Sequence, residues 1–255
     1  MKVVVKVGTS TLAHATGRLN IRRTGELCRV LSDLKNAGHE VILVSSGAIG
    51  MGVGKLGLTE KPTDIPTKQA AAAVGQCELM YTYDRLFTEY NHTVAQILLT
   101  GADFLAEDRH ENFNNTMSRL LSLGVLPIIN ENDTIATEEI KVGDNDTLSA
   151  LVAVSVGAEL LIILSDVNGL YEADPHKNPD AKLIKRVHGA PEYVFGLAGG
   201  AGSALGTGGM KTKMNAAKIC VDKGVDMVIA NGENPDLLYN IVTGKEDEYT
   251  RFFSK

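Results

Sequence analysis

The sequence predicts an α/β fold, a three-layer αβα sandwich built on a mostly parallel central sheet. Short runs of β-branched and aliphatic residues alternate with longer segments of helical periodicity, as in strands joined by crossover helices. Several of these runs are apolar on both faces, which is typical of parallel strands covered by helices on both sides. The 255 residues, 44% of them hydrophobic, suffice for one large domain or two fused lobes.

Six segments are predicted to be strands because they are short and rich in Val, Ile and Leu. In chain order they are residues 3–7, 41–44, 94–99, 126–129, 160–164 and 225–229. Ligands of open parallel sheets bind at the carboxyl ends of the strands. We therefore expect the functional residues in the loops that follow these segments.

The segments between the strands are predicted to be helical. Residues 21–37 show apolar residues at helical spacing and end at Gly38, and residues 67–90 form a long alanine-rich stretch. Gly124 and Gly224 are expected to close further helices just before strands. A charged, alternating segment at residues 136–142 predicts a β-hairpin arm beside the site.

Charge and cysteine content narrow the range of partners. A net charge of -6 and a pI near 5.5 argue against a nucleic-acid partner, because proteins that bind nucleic acid usually have a basic face. The N-terminal apolar run is too short for a signal peptide and no stretch could span a bilayer, so we expect a cytoplasmic protein without membrane contact. Cys28, Cys77 and Cys220 form no CxxC pair, which favours a reducing compartment without structural zinc.

The stretch Gly-Thr-Gly-Gly-Met-Lys-Thr-Lys at residues 206–213 is the most informative motif for function. Glycines before a helix let backbone N–H groups approach a phosphate, and the helix N-terminus attracts anions. A flexible loop before a surface helix is the alternative. Lys6 favours the phosphate site, because an ammonium in an apolar strand is costly to bury unless it faces an anion, and a Gly-Thr-Ser loop follows it.

Asp144, Asn145 and Asp146 precede a predicted helix at residues 148–156. One of the three is expected to cap the helix, but capping does not explain all of them. The segment resembles the start of an EF-hand loop, yet Ser149 stands where glycine is required and the distal glutamate is missing, so calcium binding is not expected. We expect Asp146 to orient lysine ammonium groups through charge-assisted hydrogen bonds.

Other familiar motifs do not hold. Residues 52–57 match GxGxxG, but they start several residues after their strand and no ribose-binding acid follows. The same region lacks the first glycine and the magnesium-binding hydroxyl of a P-loop. The sequence shows no general base or nucleophilic triad. That absence fits phosphoryl transfer to a carboxylate, which is already ionised at neutral pH and needs charge stabilisation more than a base.

Taken together, six motifs in chain order resemble the amino acid kinase family, and its glutamate 5-kinase branch in particular. They lie at residues 6–10, 44–48, 129–133, 141–146, 165–171 and 206–213. The first and last are shared with acetylglutamate, aspartate and uridylate kinases, whereas Asn-Glu-Asn-Asp and Lys-Val-Gly-Asp-Asn-Asp are more particular to the glutamate branch. The resemblance implies transfer of the γ-phosphoryl group of ATP to the side-chain carboxylate of L-glutamate, the first step of proline biosynthesis.

The resemblance also implies roles for individual residues. The implied catalytic residues are Lys6, Lys213 and Asp146. The implied substrate-binding residues are Ser46, Gly47, Asp133 and Asn145. The implied ATP-binding residues are Lys6, Gly8, Ser165, Asp166, Thr207, Gly208, Gly209, Met210, Lys211, Thr212 and Lys213. Lys211 is the weaker of the two helix lysines, because residues two apart on a helix point to different sides. No metal ligand is implied in the chain, and Mg²⁺ is expected with ATP.

The same resemblance implies a single amino acid kinase domain over residues 1–255, with a glutamate-binding lobe at 1–157 and an ATP-binding lobe at 158–255. We expect no PUA domain after it. A homo-oligomer, feedback inhibition by proline and a glutamyl-phosphate reductase as partner are further expectations. The alternatives are an enzyme like acetylglutamate kinase, and a non-catalytic nucleotide-binding sensor of the same fold.

Overall fold

A computed structural model describes residues 1–14, 18–60, 62–136, 144–173, 175, 177–178, 180–197, 209–245 and 247–254. Within these residues eight strands form one sheet: β1 (Lys2–Val7), β2 (Glu40–Ser45), β3 (Val94–Leu99), β4 (Leu126–Glu131), β5 (Leu160–Ser165), β6 (Arg186–His188), β7 (Asp226–Asn231) and β8 (Tyr249–Phe253). Their spatial order is β3-β4-β2-β1-β5-β7-β8-β6. Neighbours from β3 to β7 in this order run parallel, whereas β8 is antiparallel to β7.

Helices cover both faces of the sheet. The described helices are α1 (Thr9–Leu12), α2 (Ile21–Asn36), α3 (Ala48–Leu56), α4 (Ile65–Thr88), α5 (Gly101–Leu105), α6 (Glu107–Ser122), α7 (Asn145–Ser155), α8 (Glu192–Leu197), α9 (Met210–Val221) and α10 (Leu237–Thr243). One apolar core joins the sheet to α2, α4 and α10, and the other joins it to α6, α7 and α9. No helix in the described ranges is both long and apolar enough to cross a membrane.

The predicted sandwich and its mostly parallel sheet are confirmed. Each of the six predicted strands is present, and the helices predicted at residues 21–37, 67–90 and 148–156 correspond to α2, α4 and α7. Gly38, Gly124 and Gly224 end helices with φ of 92°, 72° and 81°, the left-handed conformation predicted for them. The predicted hairpin arm lies largely outside the described residues, which omit 137–143.

Strands β6 and β8 were not predicted from the sequence. The first has only three residues, Arg-Val-His, and the second reads Tyr-Thr-Arg-Phe-Phe, so neither shows the aliphatic run that marks the central strands. Both lie at the far end of the sheet, where Arg186 of β6 is exposed and Arg251 of β8 is partly buried. Arginine is tolerated in β8 because its guanidinium donates to the carboxylate of Asp226.

The GxGxxG match at residues 52–57 falls mostly within α3 and serves helix packing. A Cβ on Gly52 would lie 1.8 Å from the carbonyl oxygen of Ala71 in α4, and a Cβ on Gly75 would lie 1.7 Å from that of Ala48. Neither position therefore accepts a side chain unless the helices separate. This close approach fixes where α3 begins, directly after the loop that carries two of the predicted substrate-binding residues.

We expect Gly75→Ala to destabilise the protein by about 1–3 kcal/mol, the usual cost of overpacking a tight contact. The added methyl group would overlap the backbone of α3, which is not a flexible side-chain end that moves aside. The free energy of unfolding, measured by urea titration, gives the result.

Gly54→Ala is the matched control on the partner helix, since a Cβ there meets no atom within 4 Å. Alanine is the better helix former, so this change should leave stability unchanged or raise it by up to about 1 kcal/mol. Equal stability of the two variants would contradict the packing role of Gly75.

Candidate active site

The site lies where the central strand meets the starts of α7 and α9. Val4 of β1 belongs to the apolar core that these helices close, whereas Val3 and Val5 belong to the opposite core. Side chains alternate along a strand, so Lys6 points to the same side as Val4. The strand thus directs its one interior lysine toward the first turns of α7 and α9.

Lys6, Asp146 and Lys213 form a buried ion cluster, hereafter the lysine–aspartate cluster. The Lys6 ammonium lies 2.7 Å from Oδ1 of Asp146, and the Lys213 ammonium lies 3.2 Å from Oδ2. Asp146 is fully buried, and the two lysines are only 7% and 6% exposed. The structure therefore brings together two residues more than 200 positions apart in the chain, with one positive charge in excess.

Asp146 is ionised in this environment. Burial alone would raise its pKa, but the ammonium groups of Lys6 and Lys213 outweigh burial and lower the pKa to about 2. The hydroxyl of Thr212 lies 2.8 Å from Oδ2 of Asp146 and 2.7 Å from the carbonyl oxygen of Gly209. The sequence suggested only nucleotide binding for Thr212, so its contact with the carboxylate is new information from the fold.

Asp144 is the residue that caps α7, which confirms that one of the three polar residues at this helix start is a cap. Its Oδ1 accepts from the backbone N–H of Thr147 at 2.8 Å, and its Oδ2 lies 3.0 Å from the Thr147 hydroxyl. Capping by Asp144 leaves Asn145 and Asp146 available for the site.

On the other side of the cluster, Asn145 connects residues that were predicted to bind the substrate. Its amide nitrogen lies 2.7 Å from the hydroxyl oxygen of Ser46 and donates to the carbonyl oxygen of Ser45 at 3.0 Å. Gly47 adopts φ of 103° between β2 and α3, a turn that a side chain would strain. The predicted residues Ser46, Gly47 and Asn145 therefore lie together at the start of α3.

The remaining predicted residues line the same edge of the sheet. Gly8 follows β1, and a Cβ there would lie 3.4 Å from the Lys6 ammonium, so a larger residue would crowd the cluster. Asp133 lies two residues after β4 and is partly buried. Ser165 ends β5, and its hydroxyl donates to Oδ1 of the exposed Asp166 at 3.0 Å.

The glycine-rich loop is described only at its end. Thr207 and Gly208 lie outside the described residues, and α9 begins at Met210. The two lysines of the first turn of α9 differ as helical spacing predicts: Lys211 is exposed, whereas Lys213 is buried in the cluster.

Sequence reasoning missed a set of buried polar residues behind the substrate side. Asn130 of β4 donates from its amide to Oε1 of Gln76 at 2.9 Å, and its own Oδ1 accepts from Asn145 at 3.0 Å. The Tyr83 hydroxyl lies 2.8 Å from the hydroxyl oxygen of Ser45. The sequence held one signal for these contacts: Gln76 stands among alanines and a glycine in α4. A polar side chain on an apolar helix face is costly to bury unless it has a hydrogen-bond partner.

The described part of the site offers no set of side chains for a resident metal ion. The carboxylate of Asp146 is engaged by two ammonium groups and the Thr212 hydroxyl. Across the described ranges, no group of three or more His, Cys, Asp or Glu side chains is placed to hold a metal ion. Mg²⁺ usually binds through substrate phosphates and water.

Comparison with known proteins places this geometry in a family. The sequence profile of the amino acid kinase family matches residues 1–231. A glutamate 5-kinase of Caldanaerobacter subterraneus subsp. tengcongensis is 54% identical over 96% of this chain and 66% of that protein. A glutamate 5-kinase of Clostridium perfringens is 52% identical over 100% of this chain and 96% of that protein. The chain thus spans just under two thirds of the first relative and nearly all of the second.

Solved structures of low sequence identity share the fold. UMP kinase from Ureaplasma parvum superposes with a TM-score of 0.68 at 14% identity, covering 99% of this chain and 98% of that one. Carbamate kinase from Giardia lamblia bound to AMP-PNP gives 0.69 at 16% identity with the same coverage. From the profile match and the close relatives, we conclude that the chain belongs to the amino acid kinase family, in its glutamate 5-kinase branch.

Proposed function

We propose that this protein transfers the γ-phosphoryl group of ATP to the side-chain carboxylate of L-glutamate, forming L-glutamyl 5-phosphate in the first step of proline biosynthesis. The observation that carries the proposal is the buried lysine–aspartate cluster with its one excess positive charge. The choice of glutamate is supported by the names of relatives more than 50% identical over nearly the whole chain.

The chemistry needs charge compensation rather than a base. A glutamate side chain has a pKa of about 4.3, so it is a ready nucleophile at neutral pH. The obstacle is repulsion between this carboxylate and the phosphoryl group, both of which are anionic. Phosphoryl transfer passes through a loose transition state whose charge is spread over the oxygens, and preorganised cations stabilise it. Lys6 and Lys213 are such cations.

In the proposed mechanism, Asp146 acts as a positioning residue for the two lysines. Each ammonium contacts a different oxygen of the carboxylate, so Asp146 holds both amines at fixed points. Its single negative charge balances only one of their two positive charges. The low pKa of Asp146 keeps this anchor ionised throughout the physiological range. Thr212 restrains the carboxylate from a third direction.

The two substrates are proposed to bind on opposite sides of β1. ATP is assigned to the side of β5 and β7, where Gly8, Ser165, Asp166 and the segment 207–213 would contact it, with its phosphates at the N-terminus of α9. Glutamate is assigned to the side of β2 and β4. This division matches the proposed lobes at residues 158–255 and 1–157, which meet at the central strand.

Glutamate is proposed to bind through both of its amino-acid groups. Ser46 and Gly47 at the start of α3 suit the α-carboxylate, because the unpaired N–H groups of a helix start favour an anion. Asp133 and Oδ1 of Asn145 suit the ammonium, since both are acceptors. Mg²⁺ is assigned to the ATP phosphates. A homo-oligomer, proline as feedback inhibitor and a reductase partner stay predictions.

The direct test is incubation of the purified protein with ATP, Mg²⁺ and glutamate in the presence of hydroxylamine. An acyl phosphate reacts with hydroxylamine to give a hydroxamate, so we expect a coloured iron complex that depends on glutamate. Hydroxamate from N-acetylglutamate alone would identify an enzyme of the acetylglutamate kinase type. ATP binding with no product from either acid would identify a non-catalytic sensor.

Removal of Lys213 should lower kcat about 100-fold or more, because one of the two charges at the transferred group is lost. Lys213→Ala is compared with Lys218→Ala, which changes an exposed lysine on the same helix that pairs with Asp222 on the surface. The hydroxamate assay under saturating substrates gives both rates. A Lys213→Ala rate within threefold of the control would remove this lysine from the mechanism.

Asp146→Asn should show the cluster's contribution to stability as a function of pH. The pKa of Asp146 is lowered from 3.8 to about 2 in the folded state, so its contribution is complete above about pH 4 and is lost as the pH falls toward 2. The stability difference between the unmodified protein and Asp146→Asn should therefore shrink by about 2 kcal/mol over this interval.

Urea titrations at a series of pH values measure this difference. Asp222→Asn, an exposed carboxylate on α9, is the control and should show no comparable pH dependence. A difference for Asp146→Asn that stays constant from pH 6 to pH 2.5 would mean that the carboxylate is not held ionised by the lysines.

A further inference from the structure

Helix α4 directs two buried polar side chains toward the proposed glutamate side of the site. Gln76 is 8% exposed and Tyr83 is fully buried. Gln76 contacts Asn130, and Tyr83 contacts Ser45. Polar groups at such depth are costly unless they are paired, and here each is paired with a residue that in turn contacts Asn145.

The amide of Asn145 is held in one orientation by its neighbours. Its nitrogen has three acceptors around it: the hydroxyl oxygen of Ser46 at 2.7 Å, the carbonyl oxygen of Ser45 at 3.0 Å and Oδ1 of Asn130 at 3.0 Å. Its oxygen is buried and has no hydrogen-bond partner among the described residues. A buried acceptor without a partner, beside a substrate pocket, suits a donor on the substrate.

We propose that Gln76 is a positioning residue for glutamate recognition: by fixing the amide of Asn130, it keeps Oδ1 of Asn145 turned toward the substrate ammonium. This inference rests on the proposed function, because it takes glutamate as the substrate. Gln76 touches neither the substrate residues Ser46 and Asn145 nor the lysine–aspartate cluster in the contacts of the described chain.

The argument depends on the direction of the hydrogen bonds. An amide side chain has a donor end and an acceptor end of nearly the same shape, so only its partners decide which way it points. The Gln76 oxygen accepts from the nitrogen of Asn130, while the backbone N–H of Glu131 donates to the oxygen of Asn130 at 2.8 Å. Both contacts orient the oxygen of Asn130 toward Asn145. The nitrogen of Asn145 therefore donates to that oxygen.

Loss of the Gln76 oxygen would remove one of these two restraints. The nitrogen of Asn130 would be left buried without an acceptor, so only the backbone N–H of Glu131 would still oppose rotation of the amide. A rotated Asn130 presents a donor to Asn145, whose own amide then turns and carries its oxygen away from the pocket. The phosphoryl end of the site is not part of this chain of contacts, so ATP binding should not change.

Tyr83 supports the same orientation from the next turns of α4. Its hydroxyl lies 2.8 Å from the hydroxyl oxygen of Ser45, whose carbonyl oxygen is an acceptor for Asn145. The two contacts from α4 therefore converge on one amide from two strands, β2 and β4.

The test compares the full chain with Gln76→Met, which keeps length and helix propensity but has no amide oxygen. We expect KM for glutamate to rise about tenfold, the effect of losing one hydrogen bond to a charged group. KM for ATP and kcat should stay within twofold. Gln76→Ala repeats the measurement if the methionine variant does not fold, and Gln76→Glu, which restores an acceptor oxygen, should bring KM for glutamate back to within threefold.

Glutarate, which is glutamate without its ammonium group, separates positioning from a structural effect. As a competitor of glutamate, it should inhibit the Gln76→Met and unmodified enzymes equally, because it has no ammonium for Asn145 to bind. Thr82→Val is the matched control: it removes another buried hydrogen bond of α4, from Thr82 to the carbonyl oxygen of Glu78, and should leave KM for glutamate unchanged.

Two results would overturn the inference. In the first, the unmodified enzyme forms hydroxamate from glutamate, but Gln76→Met leaves KM for glutamate unchanged. Equal weakening of ATP, glutarate and glutamate binding by Gln76→Met counts as the same result. The positioning role is then wrong, whereas the proposed function stands. In the second, the unmodified enzyme makes no product from glutamate, and the proposed function and this inference fail together.

Discussion

One buried carboxylate that holds two ammonium groups constrains the rest of this site. Taking three charges out of water is expensive, and a buried ion cluster is seldom the most stable arrangement that a core can adopt. The cluster also carries an uncompensated positive charge at 6–7% exposure of its lysines. The proposed function accounts for this arrangement: the phosphoryl group would supply the missing negative charge and so offset part of the cost of burying the lysines.

The topology of the sheet makes this cluster possible. Lys6 lies on the central strand, with β2 and β4 on one side and β5 and β7 on the other. Parallel strands direct all their following loops to one edge, so the groups proposed for the amino acid and those proposed for the nucleotide would face each other across β1. Asp146 and Lys213 come from the first turns of α7 and α9, which pack on the same face of the sheet. A reaction between two bound substrates requires that they lie next to each other, as they would on the two sides of β1.

The central strands and helices of this fold could be predicted from the sequence, but the outer strands and the hydrogen bonds between distant side chains could not. Aliphatic runs marked the six inner strands, and helical spacing separated buried Lys213 from exposed Lys211. Strands β6, at the edge of the sheet, and β8, next to it, were not predicted because they contain charged residues and lack a uniform apolar pattern. The contacts from Gln76 escaped for another reason. They join residues 54 positions apart through amide groups, and neither spacing nor composition encodes which amide faces which.

In the proposed mechanism, neighbouring residues on α7 have different roles. Asn145 and Asp146 follow each other, and consecutive residues on a helix point about 100° apart, so one faces the strands of the glutamate side and the other faces the lysines. Their chemistry differs accordingly. A carboxylate is needed beside the lysines, where it holds charge in place. In the proposed mechanism, the neutral amide of Asn145 supplies an acceptor to the amino acid without adding a second carboxylate beside the lysines. Recognition of the amino acid would then combine the charge of Asp133 with uncharged hydrogen bonds supported from α4, while the lysines would act on the phosphoryl group.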